Sequence, residues 1–354
     1  FDGLHHFNAH VADYVDLGVP LWKDERGRRI FGALNYLASR GVNSLYALTY
    51  NIDGGDGREV WPWFPATDKT RFDVSKLEQW ERVLDHMTRC GIVWHVITQE
   101  TENDHILDNG ALGPQRKLYY RELVARFAHA PALVWNLGEE NDNTPDERKA
   151  FADTIRALDP YDHPIALHNR SGDLAGAFNA LLGTHLEIVS LQSPTLSMDE
   201  GVQQMIDDSA AAGRPWVANF DEQGPANDGA IPDAEDFGHD QLRRESLWPT
   251  LLSGGGGCEW YFGYAHAHSD LDCEDFRSRD NLWQQTTRAR EFLRDTVPFE
   301  DMRHAGLLAS GNASHVLAKR GEFYLAYVPL GGSFTLDLEQ HVGPFAVRWF
   351  DAEN

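Results

Sequence analysis

Short apolar runs alternate with amphipathic stretches along most of this chain, and this alternation limits its fold more than any other feature. Apolar runs of this length are typical of buried strands, and the stretches between them place apolar residues at helical spacing. The predicted strands are 42–50, 92–97, 132–137, 164–168, 187–191, 215–220 and 258–262. Eight helices are predicted around these seven strands, and three of them have apparent capping boxes, at 75–78, 144–147 and 197–200. Such alternation predicts βα units around a parallel sheet.

The predicted fold is α/β: a (β/α)8 TIM barrel followed by a small C-terminal antiparallel β-sandwich module. An eightfold barrel starts with a strand, whereas the first predicted element here is a helix. The missing strand is therefore expected within residues 6–14 or upstream of Phe1. A doubly wound open sheet also fits the alternation, but such folds usually carry a glycine-rich phosphate loop after an early strand. This sequence has none, so the barrel is favoured.

The pattern changes near Arg303. Four short alternating runs follow, at 314–318, 323–328, 334–338 and 345–350, separated by turns such as Gly331–Gly332. They predict an antiparallel β module that packs on the barrel. We expect a catalytic barrel over residues 1–300, with its first strand either within residues 6–14 or upstream of Phe1, and the β module over 303–354.

The charge balance excludes one class of partner. The 354 residues include 31 Lys and Arg against 55 Asp and Glu, a formal net charge of −24. Such a surface repels nucleic acid, and no apolar run is long enough for a membrane span. We expect a carbohydrate substrate, no nucleic acid, no membrane and no cofactor. The sequence does not indicate an oligomeric state.

Carboxylates follow two of the predicted strands. Glu139 and Glu140 come after the strand at 132–137, and Glu222 follows the strand at 215–220. Reactive groups of a barrel lie at the carboxyl ends of its strands, so these acids are expected to share one cleft. Two carboxylates there are what glycoside hydrolysis requires: one protonates the leaving oxygen, and the other attacks the anomeric carbon or activates water. The alternative is that each acid is a helix cap or a solvated loop residue.

Further polar residues at the strand ends are candidates for binding hydroxyl groups. Trp61 and Trp63 form a possible stacking platform, unless they pack their loop onto the barrel rim. The full set of expected substrate contacts is Asn51, Trp61, Trp63, Gln99, Glu100, Asn136, Glu139, His168, Asn169, Gln192 and Trp260. About half of the strand-end residues are expected to touch ligand.

Three segments resemble the cellulase-like clan of retaining β-glycoside hydrolases. Trp135–Asn141 resembles its strand-four motif, Phe220–Gly224 its strand-seven motif, and Cys258–Trp260 the strand-eight Trp that lies under the reactive sugar. The resemblance implies Glu140 as acid/base and Glu222 as nucleophile. Glu139 stands where the clan has an Asn that contacts the sugar 2-hydroxyl. Either Glu139 accepts a hydrogen bond from a hydroxyl, or the roles of Glu139 and Glu140 are exchanged.

Other segments resemble one group of bacterial proteins in this clan. They are 32–37, 100–103, 113–118 and 159–164, and residues 321–351 resemble the C-terminal collagen-binding-like module of that group. Members are mostly secreted and carry an N-terminal β-sandwich of unknown function. The resemblance implies a secreted or periplasmic enzyme, and a chain whose natural start lies upstream of Phe1.

Two alternatives to a retaining glycoside hydrolase remain open. His266 and His268, followed by acids at 270–275, have the spacing of metal ligands, as does the cluster of His5, His6 and His10. A metal-dependent hydrolase that uses the His266/His268 loop is therefore one alternative, although a solvated loop is favoured and no metal is expected. A non-catalytic carbohydrate-binding protein is the other.

Overall fold

The computed structural model describes residues 25–52, 60–269, 275–313, 315–338, 341 and 343–353. Within these ranges seven strands form one parallel sheet, and each strand pairs with the next along the chain. They are β1 Ser44–Leu48, β2 Val93–Ile97, β3 Leu133–Asn136, β4 Ile165–His168, β5 Ile188–Gln192, β6 Val217–Glu222 and β7 Gly257–Cys258. The predicted α/β class with a parallel sheet is confirmed.

Helices precede β1 and separate the strands. They are α1 Glu25–Ser39, α2 Val74–Cys90, α3 Pro114–Phe127, α4 Pro145–Leu158, α5 Leu174–Phe178, α6 Asp199–Ala211, α7 Trp248–Leu252 and α8 Asp280–Thr296. A π-helical segment, Leu242–Leu247, runs directly into α7. No helix in the described ranges is long and apolar enough to cross a membrane.

The sheet is curled, as a (β/α) barrel requires. Glu259, directly after β7, is hydrogen bonded to Ser44 on β1 and to His95 on β2. The side chain at one edge of the sheet thus reaches the strands at the other edge. The strand expected within 6–14 lies outside the described residues.

Strand β7 is shorter than the predicted 258–262 because a side chain replaces its backbone partner. Gln223 Nε2 donates to the carbonyl of Glu259, and the backbone N–H of Tyr261 donates to Gln223 Oε1. Backbone pairing between β6 and β7 ends at Cys258, and the chain beyond is held by this amide.

One of the three predicted capping boxes forms. Thr144 accepts from the Glu147 N–H, and the Glu147 carboxylate accepts from the Thr144 N–H. The other two predictions are wrong. Helix α2 starts earlier than predicted because the side chain of Asp73 caps it, and Met198 precedes α6 without a side-chain cap. Asp and Ser compete as caps, so a one- or two-residue shift is the usual outcome.

The C-terminal module contains two small antiparallel sheets. Its strands are β8 Arg303–His304, β9 Ala309–Gly311, β10 His315–Lys319, β11 Phe323–Tyr327 and β12 Phe334–Leu336. The sheets have the orders β11–β10–β8 and β12–β9. The strand expected at 345–350 is not observed. Phe350 instead packs on Phe292 of α8, with ring centroids 4.0 Å apart.

An apolar interface joins the module to the sheet's helices. Trp248 of α7 stacks on Tyr327 of β11 at 5.8 Å, and both side chains are buried. At its edge His315 Nε2 lies 2.9 Å from Asp199. This hydrogen bond holds the pKa of Asp199 well below its usual range. The module therefore packs on the helical layer, as the sequence predicts.

Trp248→Ala is expected to lower the free energy of unfolding by about 3–5 kcal/mol, because it empties this interface. Trp349→Ala is the matched control, since that side chain is 79% exposed. Its effect should stay within about 0.5 kcal/mol. Urea unfolding of both variants checks the expectation. Equal effects would show that the module does not depend on the interface.

Candidate active site

The acids predicted from the strand ends lie at the carboxyl ends of the strands of the curled sheet. β6 ends at Glu222, and the chain after β3 continues through Gly138 to Glu139 and Glu140. Glu139 extends β3 through a parallel bridge to Glu100, beyond β2. The neighbouring strands thus bring Glu100 and Glu139 side by side at their carboxyl ends.

A register shift determines where Glu222 points. Leu191 of β5 pairs with Phe220, but the next residue, Gln192, pairs with Glu222. Asp221 is the extra residue of this β-bulge. Strict alternation would send Asp221 and Glu222 to opposite faces of the sheet. The bulge lets both buried carboxylates lie on the concave side, Asp221 near His95 and Glu259, and Glu222 near His168.

Two side chains hold the Glu222 carboxylate. Gln192 Nε2 donates to one oxygen at 2.6 Å, and His168 Nε2 lies 3.4 Å from the other. His168 Nδ1 is in turn 2.9 Å from the Ser190 hydroxyl. The Gln192 hydrogen bond orients the carboxylate from β5, and the His168 imidazole lies close to it on β4 without a hydrogen bond of good geometry. Gln192 and His168 were both expected at the site.

Tyr46 joins Glu139 to this group. Its hydroxyl donates to Glu139 Oε2 at 3.0 Å, and its ring meets the edge of His168 at a centroid distance of 6.0 Å. Burial and the Glu139 carboxylate raise the pKa of Tyr46 well above its ordinary value, and the charge of Glu222 adds to the effect. The carboxylates that follow β3 and end β6 therefore flank one half-buried phenol.

Glu140 differs from Glu139 in its backbone conformation and in its contacts. It is half-buried and has a left-handed backbone with φ of 44°. Its carbonyl accepts from Arg170, which also contacts Thr101 and Asp142. A positive φ in a Glu is uncommon and is typical of functional turns that the surrounding structure enforces.

Gln99 holds the turn that carries both acids. Its amide donates to the Leu137 carbonyl and to Asn143, and its oxygen accepts from Arg116 at 2.6 Å. Gln99 and Arg116 are both fully buried. Gln99 was predicted as a substrate contact. Both atoms of its side-chain amide are instead hydrogen bonded to protein groups, and they support the turn that carries Glu139 and Glu140.

Four other predicted substrate contacts, Asn51, Glu100, Asn136 and Asn169, lie next to hydrogen-bonding partners within the protein. Asn169 is buried and exchanges hydrogen bonds with the backbone of Gln192. Asn136 bridges the Gly138 N–H and His95. Glu100 accepts from Asn103, which also lies 3.5 Å from Asn51. These residues shape the strand ends from buried positions.

The three tryptophans differ in position. Trp63 is fully buried against Tyr50 and Tyr119, so loop packing, the alternative to a stacking platform, describes it. Trp61 stays partly exposed and lies under the Lys76 ammonium. Trp260 donates to Thr286 of α8, so it faces the helical layer. Glu259, its neighbour, faces the interior in its place.

Four interior residues were not predicted: Tyr46, His95, Asp221 and Glu259. His95 Nδ1 lies 2.7 Å from Glu259 Oε2, and burial and the Glu259 charge raise the pKa of Asp221 to about 7. Tyr46 and His95 lie within strands, where the period of two places them on the inner face. That alternation is the sequence signal that points to them.

The His266 loop does not bring metal ligands together within the described residues. His266 Nδ1 contacts Glu235 and Nε2 contacts Asp228, so the two carboxylates lie on opposite sides of the ring. The backbone carbonyl of His268 accepts from Arg279. Acids 270–274, like His5, His6 and His10, lie outside the described residues.

Solved glycoside hydrolases have a similar fold. One structure, named only as a glycoside hydrolase, has a TM-score of 0.62 at 15% identity and covers 82% of this chain and 73% of its own. A family 5 glycoside hydrolase from Bacteroides vulgatus has a TM-score of 0.57 at 16% identity, with coverages of 82% and 70%. An endo-β-1,4-mannanase from Thermotoga petrophila has a TM-score of 0.52 at 13% identity, with coverages of 76% and 74%.

These likenesses support the barrel-like arrangement of the parallel sheet and helices. No protein-family model matches the sequence, and no curated protein is significantly similar to it.

Gly138→Ala tests the support of the acid-bearing turn. A Cβ at Gly138 would lie 2.5 Å from Gln99 Cγ, and φ is 139° there. Gly172→Ala is the control: φ is also positive, but no atom lies within 4 Å of its Cβ. We expect Gly172→Ala to cost about 1–2 kcal/mol of unfolding free energy and Gly138→Ala clearly more, measured by urea unfolding. Equal losses would show that Gln99 does not support the turn.

Proposed function

We propose that this chain is a retaining glycoside hydrolase that cleaves β-glycosidic bonds in a polysaccharide or oligosaccharide. The observation that carries the proposal is the placement of carboxylates from two strands around Tyr46 and His168. Glu139 hydrogen bonds to the phenol, and Glu222 is in contact with the imidazole. The likeness to glycoside hydrolase structures supports the same reaction class.

In the proposed mechanism Glu222 is the nucleophile. Its carboxylate attacks the anomeric carbon while Glu140 transfers a proton to the leaving oxygen, giving a glycosyl-enzyme ester and a free alcohol. Water, deprotonated by Glu140, then displaces Glu222 and releases the sugar with its original anomeric configuration. Retention by this route calls for carboxyl groups about 5–5.5 Å apart.

The environments of Glu139 and Glu140 suit different roles. An acid/base group must exchange protons with the leaving group and with water, and Glu140 is half-buried beside the exposed Arg170. Glu139 is half-buried as well, but its carboxylate accepts a hydrogen bond from Tyr46, and it stands where the resembled clan has an Asn that contacts the sugar 2-hydroxyl. We therefore propose Glu140 as acid/base, as the motif resemblance implies, and Glu139 as a binding residue.

The proposal extends to substrate and organisation. The expected contacts whose polar groups lie beside the carboxylates are Glu100, Glu139, His168 and Gln192. The partly exposed Trp61 stays a proposed stacking residue. The mannanase from Thermotoga petrophila and an exo-β-1,4-mannosidase from an Opitutaceae bacterium have similar folds, so β-mannosides belong in the first substrate screen. We also propose the domain division at 1–300 and 303–354 and a secreted or periplasmic location.

Three single variants separate the roles when assayed on 2,4-dinitrophenyl β-glycosides. Glu222→Ala should lose about four orders of magnitude or more in kcat, because the ester cannot form. Glu140→Ala should keep the first step on this activated leaving group but lose about 10²–10⁴-fold on unactivated oligosaccharides. Azide should rescue Glu140→Ala with a β-glycosyl azide product and Glu222→Ala with an α-glycosyl azide.

Glu139→Ala is the matched control, one residue away with the same loss of charge. It should raise KM or lower activity equally on activated and unactivated substrates, without azide rescue. If Glu139→Ala shows the rescue instead, the acid/base role moves to Glu139. Full activity in Glu222→Ala would end the proposal, and binding without turnover in the wild type would favour a carbohydrate-binding protein.

A further inference from the structure

A second group of titratable residues lies inside the sheet, and the proposed mechanism does not use it. Nitrogen and oxygen atoms of His95, Asp221 and Glu259 lie within 4.8 Å of one another. Asp221 is 93% buried, and neither of its carboxylate oxygens has a hydrogen-bond partner of good geometry within the described residues. A buried carboxylate that lies beside a second carboxylate needs a positive charge or a proton, even with the Ser190 hydroxyl as a hydrogen-bonding neighbour.

A metal ion is the first candidate, but the hydrogen bonds of His95 oppose it. The Gly138 N–H donates to Asn136 Oδ1, which turns the Asn136 amide nitrogen toward His95 Nε2 at 3.0 Å. His95 Nε2 must therefore carry a lone pair, and Nδ1 carries the hydrogen that faces Glu259. A metal on Nδ1 would move that hydrogen to Nε2, against the amide N–H of Asn136. His95, Asp221 and Glu259 therefore suit a shared proton better than a metal ion.

The same hydrogen bonds decide where the proton sits. Burial lowers the pKa of His95, and Glu259 and Asp221 raise it by more. A doubly protonated imidazole would nevertheless meet an N–H of Asn136 at Nε2. Burial raises the pKa of Glu259, but the electrostatic attraction of His95 and the hydrogen bonds from His95 and Ser44 lower it by more. Asp221 is the member that gains most by being neutral.

We propose that Asp221 is held as a neutral carboxylic acid by its burial beside the Glu259 carboxylate, and that its ionisation weakens the end of β6 that carries Glu222. Asp221 is thus a positioning residue that acts through the β-bulge. The proposal does not depend on the reaction assigned to Glu222, since the proton and its effect on β6 are properties of the fold.

The groups that face Asp221 come from most strands of the sheet. They are Tyr46 of β1, His95 of β2, His168 of β4, Ser190 of β5, Glu222 of β6, Cys258 of β7 and Glu259. Burial and Glu259 raise the pKa of Asp221 to about 7, whereas His95, Ser190 and His168 act in the opposite direction. Burial raises the pKa of Cys258, and the Asp221 charge adds to that rise.

The sign of the pH dependence follows from this shift. Between the ordinary pKa of an Asp and about pH 7, folding takes up a proton at Asp221. Its contribution to stability is complete below the ordinary pKa, falls as the pH rises toward 7, and stays lost above it. An Asn at the same position cannot ionise and does not incur this loss.

Thermal unfolding of the full chain from pH 4 to pH 9 tests the proposal. The Tm of Asp221→Asn relative to wild type should rise between pH 4 and pH 7 by at least about 3 °C and then level off. Asp207→Asn, an exposed acid on α6, removes the same charge and should show no such trend. A difference that is flat with pH would overturn the proposal.

Infrared difference spectroscopy provides the second readout, which a purely structural role would not change. Wild type minus Asp221→Asn at pH 5.5 should show the carbonyl stretch of a protonated carboxyl, lost with an apparent pKa near 7. In Glu259→Gln the same band, assigned by the double variant with Asp221→Asn, should disappear at a pH at least one unit lower. Absence of the band in wild type at pH 5.5 would overturn the proposal. Stoichiometric metal in purified wild type that is lost in Asp221→Asn would do the same.

Discussion

The β-bulge between β5 and β6 is the constraint on which the arrangement of the site depends. Up to Phe220 the strand alternates, and the next inward position belongs to Asp221. One additional residue without a partner brings Glu222 to the same side. Gln192 of β5 then hydrogen bonds to the Glu222 carboxylate, and His168 of β4 lies 3.4 Å from it. A regular strand would leave Glu222 against the helices, far from Glu139.

The bulge has an electrostatic consequence. It places two adjacent carboxyls in the interior of a curled sheet, where burial disfavours charge. The two carboxyls have different neighbours. Glu222 has an amide and an imidazole in contact, whereas Asp221 faces Glu259 and has its pKa raised to about 7. Divergent environments for neighbouring acids are a common property of catalytic sites.

The sequence was sufficient to predict the alternation of helices and strands, the β module and the acids at the strand ends. Those features depend on periodicity and on turn residues, which are local. Glu139 and Glu222 do lie at the carboxyl ends of β3 and β6 as expected. The resemblance to a clan added the division of roles, which no local pattern contains.

The remaining features depend on tertiary contacts. Gln99 and a sugar-binding Gln look the same in sequence, and only the position of Arg116 shows that Gln99 is hydrogen bonded within the protein. Trp260 follows Glu259, and the curl of the sheet decides which of the two faces inward. The bulge at Asp221 leaves no mark in composition, so the pairing of a buried Asp with Glu259 could not be predicted.

The most direct test of the central claim is to trap the glycosyl-enzyme. The protein is incubated with 2,4-dinitrophenyl 2-deoxy-2-fluoro-β-glycosides, and the labelled peptide is identified by mass spectrometry. The account predicts one fluorosugar per chain, attached to Glu222 and absent in Glu222→Gln. A label on Glu139 or Glu140, or turnover of the parent glycoside with inversion of configuration, would contradict it.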